Sequence, residues 1–160
     1  MNRLLSSFIV LSVPIFFLVN CSLAITNHEL YRYFEDAERS FMTKDITSVQ
    51  KHASDDFKYT ATVTVDGEVR KYDLNRIDYM KNAEVLFNSE AKFNYYKIDV
   101  KEIVTEGQKA EVTTQVSSSY VLKGITNECV AKTKSHFEKI GNKLMVTKMH
   151  SAAKCRNTKE

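Results

Sequence analysis

Phe57-Lys58-Tyr59-Thr60-Ala61-Thr62-Val63-Thr64-Val65-Asp66-Gly67 sets apolar side chains at every second position, with lysine and threonines between them. A period of two is that of a strand with one face buried and the other in water. The Asp66-Gly67 pair that follows is a tight-turn signal, because both central positions of such a turn need a backbone that Asp and Gly tolerate. Glu68 to Tyr72 is then a short return strand.

Upstream of Phe57 the period is helical. Thr26-Asn27-His28-Glu29 has the capping-box form, and Leu30, Phe34, Ala37 and Phe41 recur at helical spacing, which predicts an amphipathic helix to about Thr43. Asp45 can cap a second, shorter helix with Ile46, Val49 and Ala53 turned inward. Ser54-Asp55-Asp56 is expected to end that helix in a cap-and-turn role. Asp55 and Asp56 make a poor carboxylate pair for catalysis, since neighbours on a strand point to opposite faces.

Downstream, Asp73 is the expected cap of a third helix, with Leu74, Ile77, Met80 and Phe87 facing in. The remainder reads as sheet. Tyr96, Ile98 and Val100 alternate with charged residues, and Glu106-Gly107-Gln108-Lys109 is a turn. Val112, Thr114, Val116, Ser118, Tyr120 and Leu122 share one face of a long strand. Another strand runs from about Glu128 to Ile140, with Cys129, Ala131, Thr133, Ser135 and Phe137 inward and Val130, Lys132, Lys134, His136 and Glu138 outward. Gly141-Asn142 turns the chain into a last strand from Leu144. Without repeats or a linker, residues 25–160 are expected to form one domain.

The last hairpin carries its own check. A three-residue loop centred on Asn142 places Phe137 opposite Thr147, Ser135 opposite Met149 and Cys129 opposite Cys155. A two-residue turn shifts each pairing by one and sets Cys129 against Lys154. Opposed α-carbons in an antiparallel pair lie within disulfide range, so a Cys129–Cys155 bridge favours the longer loop or a bulge.

Residues 1–24 stand apart. Arg3 is followed by an apolar run from Leu4 to Val19 and then by Ser22-Leu23-Ala24. Basic start, short apolar core and small-residue site form a signal peptide, with cleavage expected after Ala24 and the protein exported, periplasmic or secreted. Cys21 is a possible lipidation site in place of that cleavage, which would tether the protein to the cell envelope. Asn20 departs from the small residue that a lipoprotein box carries there. Either route leaves Cys129 and Cys155 as an even pair in an oxidising compartment.

The chain has 23 Lys and Arg against 20 Asp and Glu, and one of the basic residues is Arg3. A balance this even argues against a nucleic-acid surface, which needs a concentrated basic stripe. The basic stretch Lys143, Lys148, Lys154, Arg156, Lys159 is read as a solvated strand face and a frayed tail. No pair of histidines or cysteines has metal-ligand spacing, the four glycines all sit in turns, and no cofactor is expected. His28 lies in a first helical turn, His136 on a charged face and His150 near the last strand's end. Tyr31, Tyr33, Tyr95 and Tyr96 are read as packing residues, with a ligand- or partner-contacting patch as the other reading.

The order of elements, together with Phe34-Glu35-Asp36-Ala37, Thr43-Lys44-Asp45-Ile46, Val49 and Ala53-Ser54-Asp55-Asp56-Phe57, resembles the nuclear transport factor 2-like superfamily, which includes SnoaL-like and ketosteroid-isomerase-like proteins. The resemblance implies a cone-shaped α+β fold, in which a strongly curved antiparallel sheet wraps the first helix and leaves a cavity open at one end. A cystatin-like cone is the related alternative. The inward faces then make Tyr59, Ala61, Thr114, Val116, Ser118, Tyr120, Thr133, Ser135, Phe137 and Met149 the expected lining.

Ketosteroid-isomerase-like members carry an aspartate on the strand where this chain has Ala61. The strand faces assigned inward hold no Asp, Glu or His to serve as a base. The sequence therefore leans away from an enzyme, toward a binding or interaction module for an apolar small molecule or a protein, a second copy through the sheet face included. An isomerase- or dehydratase-type enzyme, with Asp36 as base and Tyr59 or Tyr120 as donor, is one alternative. An envelope-anchored accessory or immunity-type protein is the other.

Overall fold

The computed structural model describes residues 24–159. The expected leader, Cys21 included, lies outside them except for its last residue, Ala24, which is exposed. The elements are α1 (Asn27–Thr43), α2 (Ile46–Gln50), β1 (Ala53–Val65), β2 (Glu68–Asn75), α3 (Arg76–Asn88), β3 (Lys92–Glu106), β4 (Lys109–Leu122), β5 (Ile125–Ile140) and β6 (Lys143–Lys159). They form one six-stranded sheet in the order β2-β1-β6-β5-β4-β3. All neighbours are antiparallel except β1 and β6, which run parallel. That pair makes the sheet mixed: the chain leaves β1 through β2, α3 and three more strands, and returns alongside it.

Local chemistry starts each helix. Thr26 caps α1 and Glu29 reaches back to the Thr26 amide, the reciprocal box read from the sequence. Asp45 caps α2 through the Ser48 amide. For α3 the cap is Asn75, not Asp73, because β2 continues to Asn75 in register with Lys58 and draws Asp73 into the ladder opposite Thr60. The helix consequently turns Met80, Ala83 and Phe87 inward, while Ile77 is exposed and Leu74 lies on the strand. Ser54-Asp55-Asp56 is likewise strand, not a helix stop. A β1 irregularity between Ala53 and Lys58 leaves both aspartates exposed, and Asp56 accepts a bond from the Ser54 hydroxyl.

Further irregularities on β3 and β5 help to bend the sheet. The one on β5–β6 resolves the hairpin register. The turn is the two-residue one, with Ile140 opposite Lys143 and Phe137 opposite Val146, and a bulge after His136 then restores Ser135 to Met149 and Cys129 to Cys155. The cysteines are bridged, with α-carbons 4.1 Å apart. The tail is strand to Lys159, which pairs with Ile125, so it does not fray and His150 lies mid-strand.

The core lies where α1 crosses the concave sheet face. Leu30, Phe57, Val112 and Phe137 are almost wholly buried, and Phe137 meets the Tyr33 and Phe34 rings edge-on at 4.9 and 5.8 Å. Further along α1, Phe41 stacks on Tyr96 at 4.3 Å and meets Phe87 at 5.2 Å. Ile98 donates its backbone N–H to the Glu38 carboxylate, which ties β3 to the same helix.

A half-buried ion pair, its lysine enclosed and its glutamate partly exposed, closes the narrow end. Lys139 is next on the inward face after Phe137, and its ammonium donates to Glu29 Oε1 at 2.7 Å with only 7 % of its side chain exposed. That hydrogen bond, then the Thr26 amide, holds the Glu29 carboxyl below its ordinary value of 4.5. Removing one member of a buried pair strands the other charge. Glu29→Ala is therefore expected to lose about 1–2 kcal/mol of stability, since water screens the partly exposed carboxylate, Lys139→Met less, and the double variant to recover part of the difference in urea unfolding. The folded-state pKa is depressed, so this contribution is present above the unfolded value and disappears as pH falls through the folded one. The gap between wild type and Glu29→Gln should accordingly shrink below about pH 4.

Candidate functional site

Inside the cone lies a narrow chamber of about 70 Å³, with a cleft of about 560 Å³ beside it. Phe41, Tyr79, Tyr96, Val116, Thr133 and Met149 line both, so the two adjoin. Helix α1 presents Tyr33, Phe34 and Phe41 to the chamber, α3 presents Tyr79 and Met80, and the strands supply Thr114, Val116, Thr133, Ser135 and Met149. The cleft adds Tyr59, Tyr72 and Tyr120 around small residues, Ala83, Ala131 and Ala153. No Asp, Glu, Lys or Arg lines either space.

The tyrosines define what this surface can do. Tyr59 and Tyr79 are 5.1 Å apart in a tilted pair. Burial pushes the Tyr33, Tyr59, Tyr79, Tyr96 and Tyr120 hydroxyls up from their ordinary value. They are neutral hydrogen-bond donors at physiological pH. Thr133 and Ser151 share a hydrogen bond at 2.9 Å, and the Thr114 hydroxyl points to the Thr133 carbonyl at 3.5 Å. The walls thus give rings and methyl groups with scattered hydroxyls, a surface suited to a flat apolar molecule.

Of the lining expected from the strand faces, Tyr59, Thr114, Val116, Tyr120, Thr133, Ser135 and Met149 border the cone. Ala61, Ser118 and Phe137 do not. Ala61 is buried and borders a groove on the outer side with Thr60 and Thr62. Ser118 sits opposite Cys129, toward the disulfide, and Phe137 packs its ring against Tyr33 and Phe34 of α1 and borders a separate groove with His136 and Glu138. Asp36 stays outside: its carboxylate pairs with Arg39 at 2.6 Å and borders a separate cleft with Glu29, Arg32 and Lys51. It is not brought to Tyr59 or Tyr120. Among the described residues no group of His, Cys, Asp and Glu is placed to hold a metal ion. Of the four tyrosines read as packing residues, Tyr33 and Tyr96 line the chamber, whereas Tyr31 and Tyr95 are exposed.

One base does reach the chamber. His52, between α2 and β1, forms part of the chamber wall and also borders the Asp36 cleft, so the hollow is not free of titratable bases. Its backbone is fixed by the Val146 amide, which donates to the His52 carbonyl at 2.8 Å. The ring stands edge-to-face with Tyr33 at 5.2 Å. Its Nε2 is sealed from water and has no hydrogen-bond partner. Such an atom costs about 1–3 kcal/mol, so a native one calls for an explanation. Desolvation, then Lys51, lowers the His52 pKa, while Asp36 and the Leu144 backbone oppose that shift. His52 belongs to no strand face and no helical stripe, and periodicity therefore has no signal for it. Tyr79 could have been found, since it stands beside the inward-facing Met80 at the edge of the buried face of α3.

No protein-family model matches the sequence, and no curated protein does. Solved structures do match. A conserved protein from Planctomyces limnophilus superposes with a TM-score of 0.67 at 11 % identity, covering 79 % of this chain and 94 % of its own. An NTF2-like protein from Cytophaga hutchinsonii gives 0.63 at 8 % identity, covering 81 % and 99 %. A ketosteroid isomerase-like protein from Erwinia carotovora atroseptica gives 0.56 at 16 % identity, covering 80 % and 98 %. Identities this low speak to the backbone alone. With its helices held in a bent six-stranded sheet, the chain has the cone-shaped α+β fold of the nuclear transport factor 2-like proteins.

Proposed function

We propose that this protein is an exported, non-enzymatic binding module that holds a small, largely apolar molecule inside the cone. The observation that carries the reading is the pair of adjoining hollows, lined by tyrosines and without a carboxylate on either wall. Asp36 paired with Arg39 outside the hollow weighs against an isomerase-type mechanism using that base. A disulfide between Cys129 and Cys155, and no helix among the described residues long and apolar enough to cross a membrane, fit export. Mass spectrometry of the mature N-terminus distinguishes cleavage after Ala24 from lipidation at Cys21.

Ala131 lines the cleft from β5, beside Ala153 on β6. A phenyl group there fills the mouth without entering the packed core. Wild type is expected to bind the neutral dye N-phenyl-1-naphthylamine saturably, read by fluorescence. Ala131→Phe should weaken that binding at least tenfold and leave the melting temperature within a few degrees. A wild-type protein that shows no saturable dye binding removes the basis for a cone ligand, and a surface that meets another protein becomes the better account.

A further inference from the structure

The outer face of the sheet repeats one sign of charge. On β6 Lys148, His150 and Lys154 stand on the side away from the cone, and on β5 so do Lys132, Lys134 and His136. The register sets His136 opposite Lys148 and Lys134 opposite His150, and the parallel return of β6 lays Lys148 beside Lys58 of β1. On these three strands the outward positions from Lys58 to Thr64, Lys148 to Lys154 and Val130 to His136 hold no Asp or Glu. Glu111 on neighbouring β4 answers Lys134 at 2.6 Å and reaches His136 at 3.7 Å. Lys58, Lys132, Lys148 and Lys154 are exposed and form no ion pair with a described residue. Like charges set side by side across a ladder cost stability, so the fold itself gains nothing from this arrangement. Composition reads Lys148 and Lys154 as a solvated strand face; the pairing adds β1 and β5 on either side of them.

We infer that the outer face of β1, β6 and β5 docks an extended acidic segment of another protein, its Asp and Glu side chains set among these lysines. An open groove of about 670 Å³ runs over the same face. Lys132 and Lys134 line it from β5 and Lys71 from β2, with Thr60, Thr62 and His150 between them. The Thr60 hydroxyl and His150 Nδ1 share a hydrogen bond, which holds the floor in place. Asp73, on the edge strand, is the one carboxylate of the lining. From β2 to β5 is three strand spacings, about 14 Å, too far for one phosphate or carboxylate to bridge. Along a strand, outward lysines recur about every 6.8 Å, which is also the repeat of side chains on one side of an extended peptide. Single-stranded nucleic acid is held by stacking as well as charge, and Tyr72 is the only aromatic carbocycle in the lining. A bilayer surface is entered by large apolar side chains, and the lining offers only Ala61 and Ala152 as aliphatic residues. The inference is independent of the cone, which lies on the other face of these strands.

The test is fluorescence anisotropy of the disulfide-intact protein with a labelled dodecapeptide of alternating Glu and Thr, in about 50 mM salt. Saturable binding is expected, at least tenfold tighter than that of the Gln-Thr counterpart, and weakened at least threefold in about 200 mM salt. Lys132→Glu with Lys148→Glu should weaken it at least tenfold and leave the melting temperature no lower than that of wild type, since Lys58 then gains a countercharge. Lys51→Glu with Lys81→Glu changes the net charge equally, from exposed positions at the end of α2 and on α3, and should stay within twofold of wild type. Equal loss in the two double variants reduces the effect to net charge and overturns the inference, as does equal binding of the Gln-Thr peptide. Tighter binding of an oligothymidylate of the same length, or of phosphatidylglycerol vesicles, overturns it in favour of nucleic acid or membrane. No saturable binding of the Glu-Thr peptide by wild type overturns it outright, whatever the cone holds.

Discussion

Phe137→Ala is expected to destabilise the protein by about 4 kcal/mol, because a fully buried phenylalanine loses its transfer free energy and leaves a cavity behind. Phe137 is 2 % exposed and lies between Tyr33 and Phe34, so the void opens where α1 seats on the sheet. Three features oppose collapse around it. The β5–β6 bulge falls directly beside Phe137, Lys139 follows it on the inward face with its half-buried ion pair to Glu29, and the Lys139 amide is held by the Gln108 carbonyl at 2.8 Å. A domain of this size should lose about 15 °C in melting temperature. A loss under 1 kcal/mol would mean that the narrow end of the cone is not the packed centre described above. Phe137→Leu, which conserves most of the volume, is expected to cost less than half as much.

Loss of the disulfide is the second large effect. Cys129 and Cys155 are 26 positions apart, and in the chain-entropy description closing such a loop is worth about 3.5 kcal/mol at 25 °C. Cys129→Ala with Cys155→Ala, or reduction of wild type, should lower stability by about that amount in guanidinium unfolding. The local consequence separates this from a general weakening. Cys155 lies in β6 beside the β1–β2 turn, where the Asp66 amide donates to the Cys155 carbonyl at 3.4 Å and the Asn157 amide donates to the Asp66 carboxylate at 3.3 Å. Without the bridge, amide exchange should quicken first at residues 155–159 and in that turn, with the centre of β5 still protected. Uniform acceleration along the whole of β5 and β6 would show instead that the bridge supports the entire sheet.

Some places where sequence and structure part have a common cause. Asp73 is a good local cap, yet β2 pairs along its full length with β1 and the ladder takes it into the sheet, whereas Asp55 and Asp56 fall in the irregular stretch of β1 between Ala53 and Lys58. Local propensity is a weak prior that tertiary pairing overrides. Arg156 and Lys159 look like a frayed tail by composition. They are strand because β5 begins at Ile125 and offers them a partner. In the sequence, Cys129 and Cys155 select the right downstream register and leave open whether a longer loop or a bulge provides it; a bulge after His136 does.

The sequence by itself determined the element order, the α1 capping box, the alternation that gives the sheet one buried face, and the disulfide partners. These follow from contacts between near neighbours, or from a two-residue period that admits only two faces. Only the tertiary structure decided that β1 and β6 run parallel, that Lys139 finds Glu29 across 110 positions, and that His52 comes to the chamber beside Tyr33. Each joins residues far apart in the chain, where the energy of meeting depends on how the whole sheet bends, and no local pattern of side chains records that.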